Sequence, residues 1–231
     1  SLLLISVAMQ SDIRAGEATI ASLEPQFRRP VALALNAAGT RLYIAHRDSG
    51  TVSVIDTATE TLIQEIPVGK RLSDLAILPG EQGLIVSDER TGELLRITTA
   101  GNHLQVTEKI SLTGDPVRLA VNRAGTRCYV ASRWARNIAI VDIGDTGSLQ
   151  NTAAIELPFE PGEILLWEPA GKLLVAAAFG GRLAVIDVDT AAVAAVRKIA
   201  GHNLRGLALD SAGESLWIAH QQLNRWGSTG L

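Results

Sequence analysis

The most informative shortages in this chain are those of cysteine, of aromatic residues and of charge of one sign. Cys128 is the only cysteine, which excludes an internal disulfide, a CxxC redox pair and a CxxCH haem-attachment motif within these residues. The formal net charge is only -3 and no long run of one sign occurs, which argues against nucleic acid as a partner. Aromatic residues make up only 4% of the chain, so those in repeated positions are informative.

The apolar stretch at the N-terminus is too short to cross a bilayer, and we expect no membrane span. Ser6 and Ala8 have the spacing of small residues that precede a signal-peptidase cleavage site. We therefore interpret residues 1–15 as the remnant of a signal peptide or leader and expect an extracytoplasmic protein, periplasmic or secreted. An ordinary first strand is the alternative.

A unit of about 43 residues recurs along the rest of the chain. Each unit opens with an apolar strand, passes through a glycine-containing turn into a second strand and adds a third strand. A fourth strand then closes the unit, and these closing strands end at Ile66, Ile110, Ile155 and Ile199. The repeat predicts one domain over residues 16–231, with units at 30–70, 71–115, 116–160, 161–202 and, in part, 203–231.

Four short strands per unit at a period of about 43 residues are typical of a β-propeller blade. We therefore predict an all-β propeller of four-stranded antiparallel blades, four of them complete and one partial. A seven-bladed ring would need about 300 residues at this period, so we expect the chain to be an open fragment of one. In the alternative arrangement, residues 16–24 add an outer strand to the last blade and close a small ring.

The unit at residues 30–69 carries a motif of Pro30, Gly39, a Tyr-Ile-Ala-His stretch, Val-Ile-Asp and Ile-Pro-Val-Gly. It resembles the YVTN repeat of the surface-layer-protein-like propellers of bacteria and archaea. Residues 116–142 match next best, and residues 203–220 match more loosely, with Trp217 in the tyrosine position. The other two units lack the aromatic residue. The resemblance covers residues 30–220 and implies a propeller, but it implies little about function because one fold hosts many roles.

The shared register places Tyr43, Tyr129 and Trp217 at equivalent positions on second strands. We expect all three to pack between neighbouring blades, because large aromatic side chains contribute much of the buried apolar area in a core.

The residue that ends each second strand differs from unit to unit, so the blade itself does not require a particular side chain there. The five residues are His46, Asp88, Ser132, Ala177 and His220. We expect His46, Asp88 and His220 to lie on one loop face. The loops between blades should bring Arg71, His202 and Arg205 to the same face, with His202 and His220 as the closest pair, near Arg205.

Charged residues also occupy the first strands, which line the channel of a propeller. Asp74, Arg118 and Glu163 stand at aligned positions in neighbouring units and predict adjacent ion pairs. These pairs either hold blades together or form a polar-ligand site at the channel mouth. Trp134, beside Arg133, is the aromatic residue that we expect to be exposed as an interface anchor.

Three functions remain open from the sequence. The first is a non-enzymatic propeller that binds a protein or other polymer through its loop face. The second is a propeller module of an extracytoplasmic redox protein, in which a c-type haem domain of the di-haem peroxidase type lies elsewhere in the full-length protein. A hydrolase of the propeller lactonase type ranks last, because Arg118 between Asp74 and Glu163 opposes a bound cation. We expect no catalytic set, metal or cofactor in this chain.

Overall fold

A computed structural model describes residues 27–100 and 103–221. Apart from two short 3-10 turns, its regular structure is antiparallel β-sheet, in four four-stranded sheets and one two-stranded sheet. No helix in these ranges has the length and hydropathy needed to span a bilayer. The predicted all-β fold with four complete blades and one partial blade is confirmed, whereas the interpretations of residues 1–15 and 16–24 lie outside the described ranges.

The strands follow the chain from blade to blade, and each blade pairs its strands in sequence order. Blade 1 contains β1 (Pro30–Leu35), β2 (Arg41–His46), β3 (Thr51–Asp56) and β4 (Thr61–Pro67). Blade 2 contains β5 (Leu72–Ile77), β6 (Leu84–Asp88), β7 (Glu93–Ala100) and β8 (His103–Ser111). Blade 3 contains β9 (Pro116–Val121), β10 (Arg127–Ser132), β11 (Asn137–Ile143) and β12 (Leu149–Glu156). Blade 4 contains β13 (Pro161–Trp167), β14 (Lys172–Ala177), β15 (Arg182–Asp187) and β16 (Ala192–Lys198), and blade 5 contains β17 (His202–Leu209) and β18 (Leu216–Gln221).

The turns between first and second strands are built by the same local chemistry in blades 1 and 3. The Asn36 side-chain oxygen accepts the backbone N–H of Thr40 at 2.8 Å and of Arg41 at 3.0 Å. Asn122 repeats both bonds in blade 3. Gly39 takes a φ of 71° inside the first of these turns, a left-handed conformation that favours glycine. The Ala-Gly-Thr segments therefore specify tight hairpins.

Neighbouring blades meet along their first strands and pack face to face. The first strands contact one another in order, β1 with β5, β5 with β9, β9 with β13 and β13 with β17. A buried apolar cluster fills each of the four boundaries between blades. Cys128 belongs to the cluster between blades 2 and 3, where burial raises the pKa of its thiol. Each interior blade therefore packs apolar side chains against a neighbouring blade on both of its faces.

The register prediction for the aromatic residues is right at two positions and wrong at the third. Tyr43 and Tyr129 are buried against the following blade, at the 1–2 and 3–4 boundaries. Trp217 is 69% exposed, because the face of blade 5 that carries it is not covered by any described residue. Leu33 and Leu35, on the opposite end of the arc in blade 1, are also exposed. Both end faces are therefore uncovered in the described chain.

Candidate functional site

The loop face is formed by the loops between second and third strands together with the loops that join the blades. Antiparallel pairing brings both sets of loops to the same end of each sheet. Backbone hydrogen bonds tie them together in every complete blade. The donors and acceptors are Arg47 N and Arg29 O at 2.9 Å, Glu89 N and Arg71 O at 3.0 Å, Arg133 N and Asp115 O at 3.3 Å, and Ala178 N and Glu160 O at 2.7 Å.

His46 and Asp88 stand at equivalent positions of this face, but both are buried. The Asp88 carboxylate accepts backbone N–H groups of two loops, at 2.5 Å from Lys70 and 2.9 Å from Arg90. His46 Nε2 lies 2.9 Å from Ser53 Oγ, and burial lowers the pKa of its imidazole. Asp88 therefore holds two loops in place, His46 bonds to the third strand of its own blade, and neither buried side chain presents a surface to a partner.

His220 is the last residue but one of the second strand of blade 5, which continues to Gln221, and it is exposed with its ring against Gly201. Its cross-strand partner is Leu204, and that of His202 is Gln221. Arg205 is exposed on the same strand as His202. The strand pairing therefore keeps these three predicted residues within blade 5, and a shared site among them remains a prediction.

Asp74 lies on the first strand of blade 2 and reaches into blade 3. One oxygen accepts the backbone N–H of Leu119 at 3.0 Å, and the other accepts that of Leu75 at 2.9 Å. Burial raises the pKa of the Asp74 carboxyl to about 6, although these bonds and Arg118 oppose the shift. The Asp74 carboxyl thus links blades 2 and 3, although burial destabilises its charged form.

Arg118 and Glu163 form the bidentate pair between blades 3 and 4. Arg118 Nε lies 2.9 Å from Glu163 Oε2, and Arg118 Nη2 lies 2.8 Å from Glu163 Oε1. Burial disfavours the charge of the Arg118 guanidinium, but the bonds to Glu163 outweigh it and raise the pKa. Of the predicted adjacent ion pairs, only that of Arg118 with Glu163 forms, because the Asp74 carboxylate accepts backbone N–H groups instead. The arginine is thus already occupied by a carboxylate.

A cavity of about 360 Å³ opens on the loop face, between the loops of blades 1, 2 and 3. We call it the arginine pocket; it is lined by Arg47, Arg71, Glu89, Arg90, Asp115, Arg133 and Trp134. Glu89 receives two guanidinium groups, from Arg47 and, at 2.8 Å, from Arg71. Asp115 is used to fix the neighbouring loop, because its carboxylate accepts the backbone N–H of Trp134 at 2.9 Å.

Trp134 and Phe179 extend the arginine pocket as an exposed aromatic pair. Their ring centroids lie 6.0 Å apart with 27° between the planes. Trp134 is 67% exposed and Phe179 is 48% exposed. Each is the second residue after the end of the second strand, in blades 3 and 4 respectively. The pair therefore bridges two neighbouring blades at the surface, as the sequence predicted for Trp134 alone.

A larger polar cleft of about 850 Å³ lies at the opposite end of blades 3 and 4. Arg127 and Asp142 form an ion pair there at 2.9 Å, and Glu168 accepts the backbone N–H of Arg123 at 2.7 Å. Because its arginine is neutralised within the cleft, we place the candidate site on the loop face.

Sequence reasoning found Arg71 and Trp134 but missed the residues that complete the pocket. Arg47, Glu89 and Arg133 each come one position after the aligned end of a second strand. An alignment of the repeats extended by one residue past each second strand would have identified the three residues as equivalent. The ion pair of Arg47 with Glu89, which joins two blades, is not visible in that alignment because it depends on loop conformation.

No family model matches this chain, and no curated protein sequence does. Solved structures do match it in fold. Hydrazine synthase of Kuenenia stuttgartiensis gives a TM-score of 0.77 at 18% identity, over 94% of this chain and 62% of that one. The periplasmic gluconolactonase of Pseudomonas aeruginosa gives 0.70 at 18% identity, over 83% and 63%. The β-propeller domain of Cps50 (Swd1) from Myceliophteria thermophila gives 0.69 at 16% identity, over 84% and 62%.

The sheets and these similarities together define a β-propeller protein. The chain spans less than two thirds of each of the three matched structures. At such low identity the similarity shows the fold alone, and the YVTN family stays a resemblance of motif.

Proposed function

We propose that this propeller is a non-enzymatic module that binds a protein or other polymer partner through its loop face. The observation that carries the proposal is the exposed pair of Trp134 and Phe179 beside the arginine pocket. Aromatic residues and arginine are the side chains most enriched among the hot spots of protein interfaces.

The lining of the channel supports binding over hydrolysis. Asp74 is engaged by two backbone N–H groups, and Glu163 is engaged by Arg118. A lactonase-type site would need such carboxylates free to hold a cation. The described residues contain no group of three or more side chains suited to a metal ion. The gluconolactonase similarity therefore adds support for the fold and not for that reaction.

Photocrosslinking from defined surface positions tests the proposal. Thr113 is exposed on the loop face next to the Trp134 loop, and Ala124 is exposed on the opposite face of the same blade. Because Cys128 is fully buried, Thr113→Cys and Ala124→Cys can each be labelled selectively with a thiol-directed photocrosslinker. We expect a discrete adduct with a component of the source organism's extract from position 113 and not from position 124.

Removing the aromatic pair provides the specificity control. Trp134→Ala with Phe179→Ala should abolish the adduct from position 113 without lowering the melting temperature, since both side chains are largely exposed. Equal adducts from both faces, or an adduct that survives loss of the pair, would refute loop-face binding.

A further inference from the structure

The arginine pocket has more positive charge than its own carboxylates neutralise. Four guanidinium groups line it, from Arg47, Arg71, Arg90 and Arg133, against the carboxylates of Glu89 and Asp115. Arg47 and Arg71 both pair with Glu89. Within the described ranges, Arg90 and Arg133 form no ion pair. The pocket is therefore electropositive with two guanidinium groups unpaired.

Two of these guanidinium groups are also partly withdrawn from water. The Nε atoms of Arg47 and Arg133 are buried and have no hydrogen-bond partner in the described chain. Burial is the largest cause that lowers the pKa of Arg133; the nearby carboxylates of Asp115 and Glu89 oppose this shift, and the positive charges of Arg118 and Arg205 add to it. A buried N–H donor without a partner is unfavourable, so two of the arginines that line the pocket carry an unsatisfied hydrogen-bond donor in the free protein.

The chemistry of the pocket fits a carboxylate. Guanidinium groups bind carboxylates through paired N–H···O bonds, and the strength of such bonds rises where water is excluded. Trp134 lies on the wall of the pocket, and Phe179 stacks on Trp134, so an apolar surface adjoins the charged one. A partner segment that alternates acidic and apolar residues would satisfy both.

Resting on the loop-face binding function, we propose that the arginine pocket recognises an acidic segment of a partner protein. The carboxylates of the partner segment bind the guanidinium groups of Arg90 and Arg133, and an apolar side chain of the same segment packs on Trp134 and Phe179. An acidic peptide suits the site better than nucleic acid, since the net charge of the chain is negative.

The test uses an acetylated, amidated peptide of alternating glutamate and leucine, with its glutamine counterpart as the neutral control. Binding to the whole chain is measured by calorimetry and by quenching of tryptophan fluorescence. We expect the glutamate peptide to bind at least about tenfold more tightly than the glutamine peptide. Raising the salt concentration from about 0.05 to 0.5 M should weaken binding of the glutamate peptide and leave the affinity of the glutamine peptide nearly unchanged.

Paired arginine substitutions locate the binding. Arg90→Ala with Arg133→Ala should weaken binding of the glutamate peptide by at least about tenfold with the melting temperature unchanged, because neither side chain forms an ion pair with another described residue. Arg123→Ala removes an exposed arginine from the opposite face and should change nothing. Equal affinity for both peptides, equal effects of both sets of substitutions, or competition by inorganic phosphate in preference to the peptide would overturn the proposal.

The outcome also separates this inference from the proposed function. If the crosslink from position 113 persists in the Arg90→Ala, Arg133→Ala variant, the loop face binds its partner without the arginine pocket recognising acidic residues. If the wild-type protein gives neither the crosslink from position 113 nor binding of the glutamate peptide, the proposed function itself is wrong.

Discussion

The interior blades and blade 5 carry residues in the same register, but their environments are opposite. Tyr129 in blade 3 is 3% exposed, whereas Trp217 at the equivalent position of blade 5 is 69% exposed. Asp88 of blade 2 is buried under two loops, whereas the equivalent His220 is exposed. A repeat thus specifies where a side chain points, and the neighbouring blade decides whether that side chain contributes to stability.

The same difference appears on the first strands. Asp74, Arg118 and Glu163 link blades 2, 3 and 4 by hydrogen bonds and an ion pair. The equivalent position of blade 5 is Gly206, which pairs with Ala219 as Glu163 pairs with Ala176. The row of polar links therefore ends at the boundary between blades 3 and 4, and an apolar cluster fills the next boundary, between blades 4 and 5.

The largest expected effect comes from Tyr129→Ala. Removing a buried aromatic side chain from the cluster between blades 3 and 4 leaves a cavity, so the free energy of unfolding should fall by about 3 to 5 kcal/mol. Urea unfolding followed by circular dichroism measures this loss. Tyr129→Phe is the conservative control and should cost far less. A loss below about 1 kcal/mol for the alanine variant would mean that this boundary is not packed as described.

Asp74 should give a smaller effect that depends on pH. Its folded-state pKa of about 6 lies above the ordinary value of 3.8, so the folded protein holds this proton more tightly than the unfolded chain does. The contribution of Asp74 to stability is therefore fully present below about pH 4 and is lost as the pH rises through 6.

Asp74→Asn keeps an oxygen for the Leu119 N–H and removes the titration. Between pH 4 and 7 the wild type should lose about 1 to 3 kcal/mol relative to this variant. The check is chemical denaturation of both proteins at a series of pH values. Parallel curves would show that the Asp74 carboxyl is not perturbed by its blade boundary.

Much of the fold could be predicted because the repeat is periodic, and less of the site because it depends on contacts between loops. Asp56 and Asp187 each end a third strand, and each accepts two backbone N–H groups of the following turn, as an aspartate before a turn predicts. The sequence predicts the same role for Asp142, but β11 continues to Ile143, so Asp142 lies within the strand and pairs with Arg127 instead. Arg71 was identified without its partner Glu89, since the pairing crosses loops whose conformations the alignment does not contain.

The smallest expected effect is that of Trp217→Ala, which tests the comparison of blade 5 with the interior blades at its exposed residue. Because the Trp217 ring is largely exposed, its removal should change the free energy of unfolding by less than about 0.5 kcal/mol, in contrast to Tyr129→Ala. The same urea titration measures it, repeated over a range of protein concentrations. A loss of about 2 kcal/mol or more would show that the outer face of blade 5 is covered in solution. If that loss grew with protein concentration, the cover would be a second copy of the chain, because only association couples stability to concentration; a loss independent of concentration would assign the cover to residues of the same chain.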